Sequence, residues 1–92
     1  MVPDAPRHQS DPARRRRLRW RARRGLLEND LVLARFFAVH EDSLSDDDVS
    51  GLDRLLDLGD NELLELILGR RQLAGEVDTP AAQRVLQWLR AV

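Results

Sequence analysis

The sequence changes the sign of its charge at Gly25. Residues 1–24 hold nine arginines against two aspartates, and residues 25–92 hold six arginines against fourteen acidic residues. The formal net charge of -1 conceals this asymmetry. Because opposite charges attract, we expect the basic segment to lie against the acidic remainder of the chain.

Gly25 also separates two helical patterns. A helix that ends at Arg24 would use Gly25 as its left-handed terminating residue, because glycine takes a positive φ without a Cβ clash. The next helix would carry Glu28 and Asp30 near its first turn, where carboxylates complement the partial positive charge of the unpaired amides. One turn is therefore expected to gather Arg24, Glu28 and Asp30.

Apolar residues recur at helical spacing along the chain, and no segment shows the alternation of a strand. The expected helices run from Ala13 to Arg24, from Leu26 to His40, from a Ser45 cap to Gly59, from an Asp60 cap to about Gly69, and from Pro80 to the last residues. Ser45 and Asp48 have the spacing of a capping box, and Thr79 precedes a proline that suits the first helical position. Residues 14–92 are predicted to form one domain, an all-α, compact bundle of about five short helices.

Residues 1–13 are predicted to be a disordered tail, because they contain three of the four prolines and little that could be buried. Within the bundle, the helix over residues 26–40 is expected to be central and contacted by several helices, since its apolar stripe is wide. One line of that stripe consists of Leu27, Leu31, Ala34 and Ala38, and an adjoining line of Leu26, Leu33 and Phe37. Other expected core residues are Leu18, Ala22, Phe36, Leu63, Leu64, Ile67 and Leu68.

The residue inventory offers little for catalysis. The chain has no cysteine, tyrosine or lysine, so it has no thiolate ligand, disulfide or lysine nucleophile. His8 and His40 lie too far apart in sequence to suggest a metal pair, and no apolar run approaches the roughly 20 residues that cross a bilayer. We therefore expect no enzyme activity, no catalytic, metal or cofactor residues, no membrane insertion and a cytoplasmic location.

The charged clusters each allow two interpretations. Arg14–Arg17 is either a phosphate-binding tract for nucleic acid or anionic lipid, or a solvated helix start. Asp46–Asp48 is a helix start rather than a calcium loop, because it lacks the ligand spacing of an EF-hand. From the residues alone, Arg24 and Glu28 would be a structural ion pair. A small arginine-rich nucleic-acid-binding module remains the alternative function, although nucleic acid is the less favoured partner because no nucleic-acid fold signature is present.

The junction also carries a family signature. Arg24, Gly25 and Glu28 match the pattern R-G-x-x-E, which is followed by Phe36-Phe37 and by the string S-L-S-D-D at residues 43–47. In these features the sequence resembles the SdhE family of assembly factors for succinate dehydrogenase, from about residue 20 to about residue 68. One departure is Leu66, which stands where the family often has a tryptophan.

The resemblance implies a small helical protein, not an enzyme, that binds the flavoprotein subunit of succinate dehydrogenase and promotes covalent attachment of FAD to a histidine of that subunit. Some members also act on fumarate reductase. FAD would be the partner's cofactor, with none bound stably here, and the free protein would be monomeric. Arg24, Gly25 and Glu28 would form the partner-binding surface, with Asp30 beside them. Substitution of any of the first three is expected to reduce flavinylation and to leave the helical fold intact.

Overall fold

The computed structural model describes residues 7–92 and builds them from five α-helices, with no strand in that range. The helices are α1 (Pro12–Arg21), α2 (Leu27–His40), α3 (Asp46–Leu56), α4 (Asp60–Ile67) and α5 (Pro80–Ala91). Turns of 3-10 helix lie at Glu41–Ser43 and Gly75–Val77. The predicted all-α bundle of five helices is confirmed.

Helices α3 and α5 make the most extensive helix–helix contact of the described chain, and α2 packs on α4 and α5. The close approach of α3 to α5 depends on Gly51, where a Cβ atom would lie 2.5 Å from the backbone carbon of Ala81. All five helices supply side chains to one core. Its members are Leu18, Ala22, Leu33, Phe36, Phe37, Leu44, Leu52, Leu55, Leu56, Leu63, Leu66, Leu73, Ala82, Val85, Leu86 and Leu89.

Two helix starts follow the sequence prediction closely. At the start of α3, the Asp48 backbone N–H donates to Ser45 Oγ at 3.0 Å, and the Ser45 N–H donates to Asp48 Oδ2 at 3.0 Å. At the start of α5, the Ala82 N–H donates to Thr79 Oγ1 at 3.1 Å, and Pro80 occupies the first helical position. The capping box and the threonine cap are therefore confirmed.

The predicted end of α1 is wrong. The helix ends at Arg21 rather than Arg24, and Gly25 does not have a positive φ; within residues 7–92 the glycines that do are Gly69 and Gly75. The reason lies at Arg24, whose backbone N–H donates to Asp30 Oδ1 at 3.1 Å instead of to a carbonyl one turn earlier. The chain therefore leaves the helical path before it reaches the glycine.

The line Leu27, Leu31, Ala34 and Ala38 of α2 was predicted to be buried, and this prediction is wrong. Leu27 is 62% exposed, Leu31 is 48% exposed, and both alanines are exposed as well. Helix α2 is instead rotated so that Asn29, Leu33, Phe36 and Phe37 face the core. Burial of two aromatic rings outweighs burial of two leucines and two alanines, because each ring removes a larger apolar area from water.

Helix α4 differs from expectation at its start and in the side chains that it buries. Gly59 rather than Asp60 is its N-cap residue, because the Asp60 carboxylate is used elsewhere. Its buried side chains are Leu63 and Leu66, while Leu68 is 52% exposed. Leu66 is therefore a core residue of the bundle.

Residues before α1 contact the bundle. The backbone N–H groups of Arg7 and His8 donate to the Asp46 carboxylate at 3.1 Å and 2.9 Å, and the Gln9 side chain donates to the carbonyls of Glu41 and Leu44. Of the tail predicted over residues 1–13, residues 1–6 lie outside the described residues. Residues 7–13 lie against the start of α3 or within α1.

His8 should make the stability of the protein depend on pH. Burial lowers the pKa of its imidazole below the ordinary value of 6.5; the nearby guanidiniums of Arg15 and Arg14 act in the same direction, and the carboxylates of Asp46 and Glu41 oppose them. Between the lowered value and 6.5 the unfolded chain binds more protons than the folded chain, so stability is present above this window and falls as pH falls through it.

We therefore expect the thermal midpoint to decrease between about pH 7 and about pH 5, and to decrease less in the variant His8→Gln. Circular dichroism melts of both proteins across this range would measure the difference. Equal pH dependence in the two proteins would show that His8 does not titrate on unfolding.

Candidate functional site

The link between α1 and α2 is fixed by the side chain of Arg24, which is only 12% exposed. Its Nε donates to Asp60 Oδ1 at 2.6 Å, while its two terminal nitrogens donate to the carbonyls of Leu56 at 2.9 Å and Leu58 at 2.6 Å. Those carbonyls lie at the end of α3, where helix groups lack partners within the helix. Arg24 therefore joins the α1–α2 link to the end of α3 and the start of α4.

Asp60 is the acidic partner of this junction. Its second carboxylate oxygen accepts the backbone N–H of Leu26 at 3.1 Å. The hydrogen bond from Arg24 lowers the pKa of the Asp60 carboxyl below its ordinary value, against a smaller opposing effect of burial, and the Leu26 N–H adds to the lowering. The carboxylate thus holds both ends of the segment that contains Gly25.

Asn29 is a member of the site that sequence reasoning missed. Its side chain is fully buried, and its Nδ2 donates to the Asp60 backbone carbonyl at 2.8 Å. Its Oδ1 is buried without a hydrogen-bond partner in the described structure. Asn29 ties α2 directly to the first residue of α4. The sequence signal for the burial of Asn29 was its position one turn before Leu33, on the line of α2 that proves to be buried.

The four predicted site residues are placed in two different ways. Arg24 and Asp30 face inward, since Asp30 Oδ1 accepts the Arg24 backbone N–H. Glu28 lies on the exposed side of α2 and makes no hydrogen bond or ion pair with another residue of the range 7–92. The structural ion pair between Arg24 and Glu28, which the residues alone indicated, is therefore absent, and the ion-pair partner of Arg24 is Asp60.

Gly25 is exposed, and the fold itself does not require a glycine there. A Cβ atom at this position would lie 3.7 Å from Asp60 Oδ2, which is an ordinary van der Waals distance, and its φ is not positive. The absence of a side chain leaves the backbone of the link open to approach from outside. Gly25 and Glu28 thus form an exposed surface on top of the buried contacts of Arg24.

The arginine tract of α1 is partly engaged in the fold. Arg15 pairs with Asp42 at 2.5 Å, and Arg19 with Glu41 at 3.4 Å. Arg21 pairs with Asp53 of α3 and with Asp57, the residue that directly follows this helix. Both hydrogen bonds raise the pKa of the Arg21 guanidinium. The expected attraction between the basic segment and the acidic remainder is therefore seen as specific ion pairs.

The described residues hold no cluster of histidine, cysteine or acidic side chains that could bind a metal ion.

The His40 ring stacks on the Trp88 ring with centroids 4.7 Å apart and so packs α2 against α5. Among residues 7–92, no helix is long and apolar enough to cross a membrane. At the junction this arrangement offers an exposed surface on which the Glu28 carboxylate has no ion-pair partner within residues 7–92.

The fold and the site define a small all-helical protein whose candidate site is an exposed surface at a helix junction held from beneath by an ion pair. The family model described as flavinator of succinate dehydrogenase matches residues 16–92, which include the junction and all five helices except the first turn of α1. The chain belongs to this family of succinate dehydrogenase assembly factors.

Curated relatives agree with this assignment. The chain is 58% identical to the FAD assembly factor SdhE of Ralstonia nicotianae over 85 residues, which cover 92% of this chain and 90% of that protein. It is 33% identical to the FAD assembly factor SdhE of Acetobacter pasteurianus over 76 residues, 82% of this chain and 70% of the relative. The chain is also 54% identical to the mitochondrial succinate dehydrogenase assembly factor 2 of Meyerozyma guilliermondii over a shorter stretch of 35 residues. This stretch covers 38% of this chain and 26% of that protein. No solved structure matches the chain.

Proposed function

We propose that this protein binds the flavoprotein subunit of succinate dehydrogenase and promotes the covalent attachment of FAD to that subunit. The observation that carries the proposal is the exposure of Gly25 and Glu28 within the R-G-x-x-E motif, where neither residue has a role inside the fold. Family membership and the printed names of the relatives support the proposal, because they refer to succinate dehydrogenase and to the assembly of its FAD.

The contacts of the junction suggest how the surface works. Arg24, Asp60 and Asn29 hold the link and the first turn of α2 in one arrangement. A partner that meets a rigid surface loses less conformational freedom on binding than one that must order a loop. The Glu28 carboxylate is then available to a cationic group of the partner, and the open backbone at Gly25 permits close approach.

In this proposal the protein acts on the conformation of its partner and does not itself carry out a chemical step. Binding would favour a state of the flavoprotein in which FAD and the receiving side chain are aligned, which raises their effective concentration. FAD belongs to the partner in this account.

Replacing Gly25 by arginine or Glu28 by alanine should reduce covalent flavin on the partner by at least about tenfold. A hydrogen bond between the Glu28 carboxylate and a cationic group of the partner would contribute about 1.5–3 kcal/mol, which corresponds to roughly ten- to hundredfold in affinity. The measurement is in-gel flavin fluorescence of the flavoprotein subunit, produced in cells that lack the native gene and express each variant.

The matched control is Glu76→Ala, because Glu76 is also exposed and its side chain makes no ion pair within residues 7–92. This variant should support full flavinylation. Thermal melts of all variants should agree within a few degrees, since the changed side chains have no internal partners. Full flavinylation with both Gly25→Arg and Glu28→Ala would contradict the proposed function of this surface.

A further inference from the structure

Helix α2 presents an apolar line to solvent over most of its length. Leu27, Leu31, Ala34 and Ala38 follow the spacing of one helix face, and all four are exposed. At 1.5 Å per residue the line is about 16 Å long. It begins beside Gly25 and Glu28 and is therefore continuous with the surface described above. Within residues 7–92 the two leucines remain 62% and 48% exposed.

A groove between α1 and α2 lies along one side of this line and has a volume of about 320 Å³. Ala22, Leu33 and Phe37 contribute apolar side chains to its lining, and Ala34 and Ala38 connect it to the exposed line. The alanines allow a partner's backbone to approach α2 closely, as small residues do at helix–helix contacts. The depression has room for apolar side chains that project from a neighbouring element.

The charge available beside the groove is positive. Arg23 lines it and makes no ion pair with any acidic residue of the range 7–92; its guanidinium lies 5.7 Å from the centre of the exposed Trp20 ring. The acidic side chains of the groove are already engaged, Glu41 with Arg19 at 3.4 Å and Asp30 with the Arg24 backbone N–H. A partner that carries carboxylates would therefore find an unpaired guanidinium here.

We propose that the α1–α2 groove binds an amphipathic helix of the flavoprotein subunit, with its apolar side chains against the line on α2 and acidic side chains beside Arg23. A straight line of residues at helical spacing is suited to a second helix, because helices pack along such ridges. This inference rests on the proposed function and adds a second contact region to the motif surface. Gly25 and Glu28 would then lie at one end of a longer interface.

The first test is calorimetric titration of the purified flavoprotein subunit with the full chain and its variants. Leu31→Glu and Ala38→Glu each place a carboxylate on the apolar line, and we expect each to weaken binding at least tenfold. The matched control is Leu68→Glu, because Leu68 is 52% exposed, against 48% for Leu31, and lies directly after the last residue of α4 rather than on α2. The control should bind as the unaltered protein does.

The second test addresses the chemistry of the occupant. Arg23→Glu should weaken binding by at least tenfold and reduce its dependence on salt. A photoreactive amino acid at position 38 should crosslink to a helical, acidic segment of the flavoprotein, identified by mass spectrometry. Crosslinking to a loop or to a basic segment would overturn the inference.

The outcomes separate this inference from the function on which it rests. If Glu28→Ala abolishes binding while Leu31→Glu and Ala38→Glu bind normally, the groove is not part of the interface and only the inference is overturned. If the unaltered protein does not bind the flavoprotein, the proposed function and the inference are both overturned. A dimer of the free protein that Leu31→Glu dissociates would show that a second copy occupies the line, which also overturns the inference.

Discussion

Replacing Gly51 by alanine should lower the free energy of unfolding by about 3 kcal/mol, at the upper end of the usual cost of overpacking. The added Cβ would lie 2.5 Å from the Ala81 carbonyl carbon, 2.6 Å from its oxygen and 2.8 Å from the Ala82 nitrogen. These are backbone atoms of α5, so no side chain can rotate to make room. Helices α3 and α5 would have to separate along the most extensive helix contact of the described chain.

Denaturant unfolding followed by circular dichroism would measure this loss, and the thermal midpoint should fall by about 12 °C or more. Gly59→Ala provides the control, because a Cβ there meets no atom within 4 Å. Alanine is a poorer N-cap than glycine but restricts the unfolded chain more, and these opposing effects should leave stability within about 0.5 kcal/mol. Equal unfolding midpoints for Gly51→Ala and the unaltered protein would contradict the close approach of the two helices.

Local features of the fold could be predicted from the sequence because their causes lie within a few residues. Ser45 and Asp48 set the start of α3, and Thr79 sets that of α5, through hydrogen bonds with neighbouring backbone N–H groups. Pro80 adds a φ suited to the first helical position. The choice between two apolar lines of α2 could not be predicted in this way. Both lines have helical spacing, and the rotation of α2 is decided by its contacts with α4 and α5.

In the candidate site, too, the local features could be predicted from the sequence and the contacts between distant residues could not. The R-G-x-x-E spacing located the junction, but the partner of Arg24 is Asp60, which is 36 residues away in the chain. With nine arginines before Gly25 and fourteen acidic residues after it, no local pattern selects this pair from the others. Asn29 was missed because a polar residue on a helix start is ordinarily solvent-exposed, whereas here it is buried against the start of α4.

Arg24→Ala should destabilise the fold, in contrast to the expectation from the sequence that the helices would remain unaffected. The variant loses two hydrogen bonds from a charged donor to the carbonyls of Leu56 and Leu58, which cost about 1.5 kcal/mol each at the low end. The free energy of unfolding should fall by about 3 kcal/mol, measured by denaturant titration. The thermal midpoint should fall by about 12 °C or more.

The comparison of Arg24→Ala with Glu28→Ala separates a positioning residue from a contact residue. Glu28 has no partner within residues 7–92, so its replacement should preserve the unfolding midpoint and reduce flavinylation at every temperature. Arg24 acts through the link that it holds, so Arg24→Ala should lower the unfolding midpoint and reduce flavinylation together. An unchanged midpoint together with lost flavinylation in Arg24→Ala would instead show that the guanidinium leaves Asp60 and contacts the partner directly.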